Sequence, residues 1–126
     1  MAKAIIATTK APGAIGPYSQ GITANGFVFA SGQLGLIPGT GEFAEGGVTG
    51  QTRQSLTNVK QVLEAAGSGL EKVVKVTVFL KDMKDFAAMN AVYSEFFTEN
   101  FPARSAVQVA ALPKEGLVEI EVIAEA

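Results

Sequence analysis

The segment Val73–Leu80, VVKVTVFL, constrains this chain more than any other. Its β-branched side chains are stiff at χ1 and pack best on a pleated surface, so the segment reads as a strand. A helical period precedes it. Within residues 49–66, Leu56, Val59, Val62, Leu63 and Ala66 fall at i, i+3, i+6, i+7 and i+10, and Gly67 is placed to stop the helix as its C′ residue. A second helical period follows. Asp85 offers an N-cap, Phe86, Met89, Tyr93, Phe96 and Phe97 share one face, and Pro102 comes after the end. Helix, strand and helix therefore occupy the middle of the chain.

Strand signals flank this centre. Ala4–Ala7 is a short apolar patch that suits a first strand, and residues 10–21, KAPGAIGPYSQG, read as an ordered loop. Residues 26–32, GFVFASG, read as a buried strand, and 35–47 read as a hairpin or loop around Pro38-Gly39 and Gly41. Ala103–Val109 and Leu117–Glu125 read as two closing strands, with LPKEG between them as a hairpin connection. The expected architecture is a single α+β domain spanning residues 1–126, with two helices packed on one face of a mixed sheet. The other face then has no cover from within the chain, which points to an oligomer.

Composition removes several kinds of chemistry. The 126 residues are 48% hydrophobic and 17% charged, enough for one packed core and too apolar for a disordered chain. Cysteine and histidine are both absent, which excludes the common zinc sites, haem, iron–sulfur clusters, thiolate catalysis and any histidine-based triad. The net charge of −2 argues against a strongly basic nucleic-acid face. The opening MAKAIIATTKAPGAIGP lacks a charged-then-apolar signal layout, and no apolar run approaches the roughly 20 residues of a membrane span. The expectation is a soluble cytoplasmic protein with no membrane partner.

Few polar residues stand where chemistry could use them. Arg104 lies at the head of an apolar strand, two residues after Pro102. Its guanidinium could clamp a carboxylate through two hydrogen bonds, although a strand-end salt bridge is the commoner use of such a residue. Glu119 and Glu121 share one strand face by period 2, with Val118, Ile120 and Val122 on the other. They read either as a solvated face or as a carboxylate that orients a water. Tyr18 could offer its hydroxyl to a ligand or cap a loop, and Ser31-Gly32 could allow close approach of a ligand to backbone. Asn90 interrupts the apolar face of the second helix and needs a polar partner. No phosphate-binding glycine loop is present.

Together these segments resemble the RidA/YjgF family of reactive imine deaminases over nearly the whole chain. The pieces are AIGPYSQG at 14–21, ASGQ at 30–33, QTRQSLTNVKQVLEAAG at 51–67, VVKVTVFLKDMKDFAAMN at 73–90, PARSAVQVAALP at 102–113 and VEIE at 118–121. Pro-Ala-Arg-Ser followed by Val-Glu-Ile is the specific signature. The resemblance implies a chorismate-mutase-like α+β fold, a homotrimer with clefts between subunits, and hydrolysis of 2-imino acids to 2-oxo acids and ammonia. The substrates it implies are 2-iminobutanoate and 2-iminopropanoate, products of PLP-dependent dehydratases that damage other PLP enzymes. No cofactor and no metal is implied.

By the same resemblance Arg104 clamps the substrate carboxylate and Glu119 positions the attacking water. Tyr18, Ser31 and Gly32 contact or shape the ligand site, and Phe86 and Asn90 line the cleft from the second helix. One position departs from many bacterial members. Ala106 stands where they have cysteine, so regulation through that thiol is lost. An imine carbon is already electrophilic, which suits a chain without histidine or cysteine. Competing readings are a trimer that binds small carboxylates without turnover, a holdase, and a ribonuclease. The acidic pI and the lack of an aromatic–basic stripe speak against the ribonuclease.

Overall fold

Val118–Glu125 (β6) lies near the middle of a six-stranded sheet and organises the fold, because its side chains alternate without a break. Val118, Ile120, Val122 and Ala124 are buried under two helices, while Glu119, Glu121 and Ile123 point to the opposite face. The computed structural model describes residues 2–126. In chain order the other elements are β1 (Ala4–Ile6), β2 (Gly21–Ala24), β3 (Phe27–Leu34), α1 (Gly47–Ala65), β4 (Val73–Leu80), α2 (Phe86–Phe96) and β5 (Ala103–Gln108). The sheet order is β1-β2-β3-β6-β4-β5. Among the described residues only β4 and β5 pair in parallel, with α2 as the crossover between them.

This order corrects the expected hairpin over LPKEG. β4 lies between the two closing strands and pairs with both, so β5 and β6 are not neighbours. The connecting segment instead makes a 3₁₀ turn at Pro113–Glu115, where Lys114 and Glu115 both adopt positive φ. β2 was absent from the sequence reading, because GITA is too short to carry a period. The strand at 26–32 runs on to Leu34 and is buried on one face only. Val28 and Ala30 are in the core, whereas Phe27 and Phe29 are exposed. Asp85 also does not cap α2 with its side chain. Asp82 accepts from the Lys84 amide at 2.9 Å and starts a 3₁₀ turn that leads into the helix.

The core lies between the sheet and the helices. Leu56, Val59, Val62 and Leu63 of α1, and Met89 and Tyr93 of α2, meet Val76, Val78 and Leu80 of β4 and the inward residues of β6. Gly67 ends α1 as expected. Its φ of 79° lets the Gly67 and Ser68 amides bond back to the Glu64 and Leu63 carbonyls. Among the described residues no helix covers the sheet's far face. There Ile5, Ile22, Phe29 and Ile123 stand in cross-strand register as an apolar row.

One polar side chain inside α1 fixes the end of β3. Asn58 is fully buried, and its Nδ2 donates to the Leu34 and Leu36 carbonyls at 3.1 and 2.9 Å. Ser55 Oγ donates to the Gln33 carbonyl at 2.6 Å. Replacing Asn58 with alanine takes this donor from two carbonyls, one buried and one part-buried. Asn58→Ala is expected to cost about 2–4 kcal/mol, read as a lower midpoint with an unchanged slope in urea denaturation.

Candidate active site

Glu119 enters a cavity through a defect in the sheet. The β3–β6 register slips between Ala30 and Gln33, so Ser31 and Gly32 together face the stretch of β6 around Glu121. The carboxylate of Glu119 occupies the space beside Gly32, where a Cβ would overlap it. Glycine is required here for room rather than for an unusual φ. The carboxylate is half-buried, and burial raises its pKa, with the negative charge of Glu121 adding to the rise.

The cavity beside it has a volume of about 670 Å³. Tyr18, Ser31, Gly32, Glu119 and Glu121 line it, with apolar walls from Ile15, Leu34 and Pro113. Gln20 builds the loop side. Its buried amide donates to the Thr8, Ala11 and Pro12 carbonyls and accepts from the Thr8 amide at 2.7 Å. The Ser31 hydroxyl donates to the Ser19 carbonyl at 2.6 Å, and the Ser31 amide donates to the Gln20 carbonyl at 2.9 Å. The Ser31 oxygen keeps its lone pairs for a ligand. The Tyr18 hydroxyl accepts from the Ile15 amide at 3.3 Å, and the ring is 51% exposed.

Arg104 belongs to the other face of the sheet. It stands in register with Val76, and Val76 with Val122, both of which point to the helices. Its Nη1 donates to Asn90 Oδ1 at 2.6 Å, and its Cζ lies 4.5 Å from the Tyr93 ring centroid and 5.6 Å from that of Phe86. Among the described residues the salt bridges join Arg53 to Glu95 and Lys84 to Asp82, and neither involves Arg104. The strand-end salt bridge is thus not what Arg104 makes. A half-buried guanidinium held only by neutral groups retains N–H donors that could meet an anion.

Two groups of candidate residues result. Tyr18, Ser31, Gly32 and Glu119 share the cavity, whereas Phe86, Asn90 and Arg104 form a cluster outside it, on the helix side. A single chain does not join them. Sequence reasoning passed over Gln20 and Tyr93. Tyr93 could have been found, since it lies three residues after Asn90 and seven after Phe86, on the same helix face. Gln20 carried no such signal. Among the described residues no cluster of three or more acidic side chains is placed to hold a metal ion.

A six-stranded mixed sheet with two helices on one face, a carboxylate cavity and a separate arginine cluster define the class of this protein. It belongs to the RidA/YjgF family: the family profile described as Endoribonuclease L-PSP matches residues 8–126. The chain is 57% identical over 122 residues to a RutC family protein of Pyrococcus horikoshii, covering 97% of each. It is 52% identical over 124 residues to the 2-iminobutanoate/2-iminopropanoate deaminase of Capra hircus, covering 98% of this chain and 90% of the other. The YjgF gene product of E. coli superimposes with a TM-score of 0.92 at 51% identity, over 97% of this chain and 98% of that one. No helix among the described residues is long and apolar enough to cross a membrane.

Gly32 gives a test of the cavity that does not depend on any reaction. In Gly32→Ala the new methyl must displace the Glu119 carboxylate, which can swing out toward water at little cost to the fold. The Glu119 pKa, followed by carboxyl-carbon NMR titration, is expected to fall back toward its ordinary value while the melting temperature holds. An unchanged titration would mean that Glu119 does not depend on that space.

Proposed function

We propose that the protein hydrolyses 2-imino acids, among them 2-iminobutanoate and 2-iminopropanoate, to 2-oxo acids and ammonia, in clefts shared between the subunits of a homotrimer. The observation that carries this reading is Arg104, a guanidinium fixed by Asn90 and two aromatic rings with no carboxylate of its own. A 2-imino acid supplies the missing carboxylate and holds its C=N carbon one bond away. The deaminase name carried by a close relative supports the same substrate class.

The chemistry asks little of the chain. Arg104 fixes the carboxylate plane and so presents one face of the imine carbon. Ionised Glu119 accepts a hydrogen bond from a water in the cavity and takes its proton as the water oxygen bonds to that carbon. The C=N π electrons move to nitrogen, which takes that proton back from Glu119 to give a carbinolamine; Glu119 then passes the carbinolamine's hydroxyl proton to nitrogen, and ammonia leaves as the C–N bond breaks and the C=O bond forms. Ser31 can accept from the nitrogen's N–H, and Tyr18 closes the exposed side. The reading calls on no metal and no cofactor.

Arg104 and Glu119 face opposite sides of one sheet, so a second copy must bring its Arg104 to the first copy's Glu119. The uncovered apolar row of Ile5, Ile22, Phe29 and Ile123 supports such an assembly. Cleavage of RNA is the weaker reading. Glu119 and Glu121 together put negative charge in the cavity, which repels a phosphate backbone.

Arg104→Ala is expected to lower imine hydrolysis about ten- to a hundredfold, the worth of a charge-assisted contact expressed in the transition state. Arg104→Lys keeps the charge and loses the planar fork, so it should fall between the two. The shared cleft has a sharper test. Arg104→Ala and Glu119→Gln are each expected to keep no more than about a tenth of the native rate as pure trimers. Unfolded together and refolded as mixed trimers, they regenerate clefts with both native residues, and roughly a quarter of the native rate should return. No recovery in verified mixed trimers would put both residues in one chain's site.

The pH profile follows from Glu119. The carboxylate form is the active one and its pKa is raised, so the rate falls as pH drops through that raised value. Glu121→Gln removes the like charge and is expected to move the acid limb of kcat/KM to lower pH. A limb that stays in place would mean that Glu119 does not titrate in the free enzyme's profile.

A further inference from the structure

The Arg104 guanidinium lies between two rings of α2. Its Cζ is 4.5 Å from the Tyr93 centroid and 5.6 Å from the Phe86 centroid. Those residues are seven apart in one helix, about 10.5 Å along its axis, so the cation can be near both only by sitting between them. Asn90 stands between them on the same helix face and takes one N–H, at 2.6 Å from Nη1. That single hydrogen bond fixes a point. It leaves the plane of a long, rotamer-rich side chain free to turn.

Tyr93 is the better buried of the two rings, at 7% exposure, and no group meets full hydrogen-bond geometry at its hydroxyl, although the Arg104 guanidinium lies close beside it. A buried phenol oxygen without a partner costs stability where phenylalanine would not. The position therefore uses the ring, whose face attracts a cation. Burial also raises the Tyr93 pKa, and this outweighs the opposing effects of the Arg104 charge and of its N–H beside the hydroxyl, so the ring stays neutral.

We propose that Tyr93, with Phe86 as the outer ring, is a positioning residue that sets the plane in which Arg104 receives the substrate carboxylate. This rests on the reading of Arg104 given above. It also moves Phe86 from a wall that touches ligand to a group that acts through Arg104. Selectivity for a carboxylate next to the imine carbon then comes from an aromatic bracket on the helix as much as from the strand residue it holds.

The test uses 2-oxobutanoate, bound to the native trimer and followed by titration calorimetry, together with kcat and KM for imine hydrolysis. Tyr93→Leu keeps apolar volume and removes the ring. It is expected to weaken 2-oxobutanoate binding roughly 3- to 30-fold and to raise KM. Tyr93→Phe keeps the ring and should stay within about threefold of native, with no loss of melting temperature. Phe86→Leu, at a partly buried position where leucine keeps the apolar contact with the core, should weaken binding several-fold and decides the matter if Tyr93→Leu does not assemble. Native affinity in a folded Tyr93→Leu trimer, or in Phe86→Leu if that variant alone folds, overturns the bracket when Arg104→Ala has lost binding. Equal damage from Tyr93→Phe and Tyr93→Leu overturns it too, since the hydroxyl would then be the active group. Native affinity in Arg104→Ala overturns the Arg104 reading itself, and the bracket with it.

Discussion

Strand alternation is the constraint on which the rest of this molecule depends. β6 turns Glu119 and Glu121 to one face of the sheet and buries Val118, Ile120 and Val122 on the other. Through β4, the same register puts Arg104 on the buried side. A slip of one residue in either pairing would reverse every side chain of that strand. The buried valines and isoleucines hold the register, and so they hold the carboxylate and the guanidinium apart. Core packing and the layout of the candidate site are one decision.

That separation has an electrostatic consequence. Had Arg104 and Glu119 met within one chain, each would have neutralised the other. The carboxylate pKa would drop and the guanidinium would have no capacity left for a substrate. Kept apart, Glu119 retains a raised pKa and Arg104 retains an open fork. In the proposed trimer they approach the same ligand from two subunits with the substrate between them, so they act on it rather than on each other. The apolar row on the open face of the sheet is the other incomplete surface of the isolated chain. Covering it by association stabilises the assembly through burial, independently of the chemistry.

Much of this was legible in the sequence, where the signal was local and repeated. VVKVTVFL is β4 from its first residue to its last, and the alternation in VEIEVIAE sorted the two glutamates from the core correctly. The helical periods located α1 and α2. What failed was non-local. Nothing in LPKEG reveals that β4 will lie between the strands on either side of it, because that order is set by which sheet edge the α2 crossover reaches. β2 has only four residues, and its reason to be a strand is its pairing with β1 and β3. The expected buried strand at 26–32 was half wrong for a related cause. Its aromatic residues look like core by composition, yet Phe27 and Phe29 fall on the uncovered face. Gln20 shows the same limit at the site, since its three acceptor carbonyls come together only once the loop is folded.

Glu119 and Glu121 illustrate how two identical side chains on one face acquire different characters. Both line the cavity, and each carries the same charge two residues from the other. Glu121 is exposed, whereas Glu119 is half-buried beside the Ser31–Gly32 irregularity. Burial and then the neighbouring Glu121 charge raise the Glu119 pKa, which makes Glu119 a better proton acceptor than an ordinary carboxylate. This division depends on a residue that contributes no functional group. Any side chain at 32 would claim the space that Glu119 fills, and the carboxylate would move out to the same solvated setting as Glu121. On the proposed reading, the bulge and its glycine are what turn one of two surface glutamates into a base.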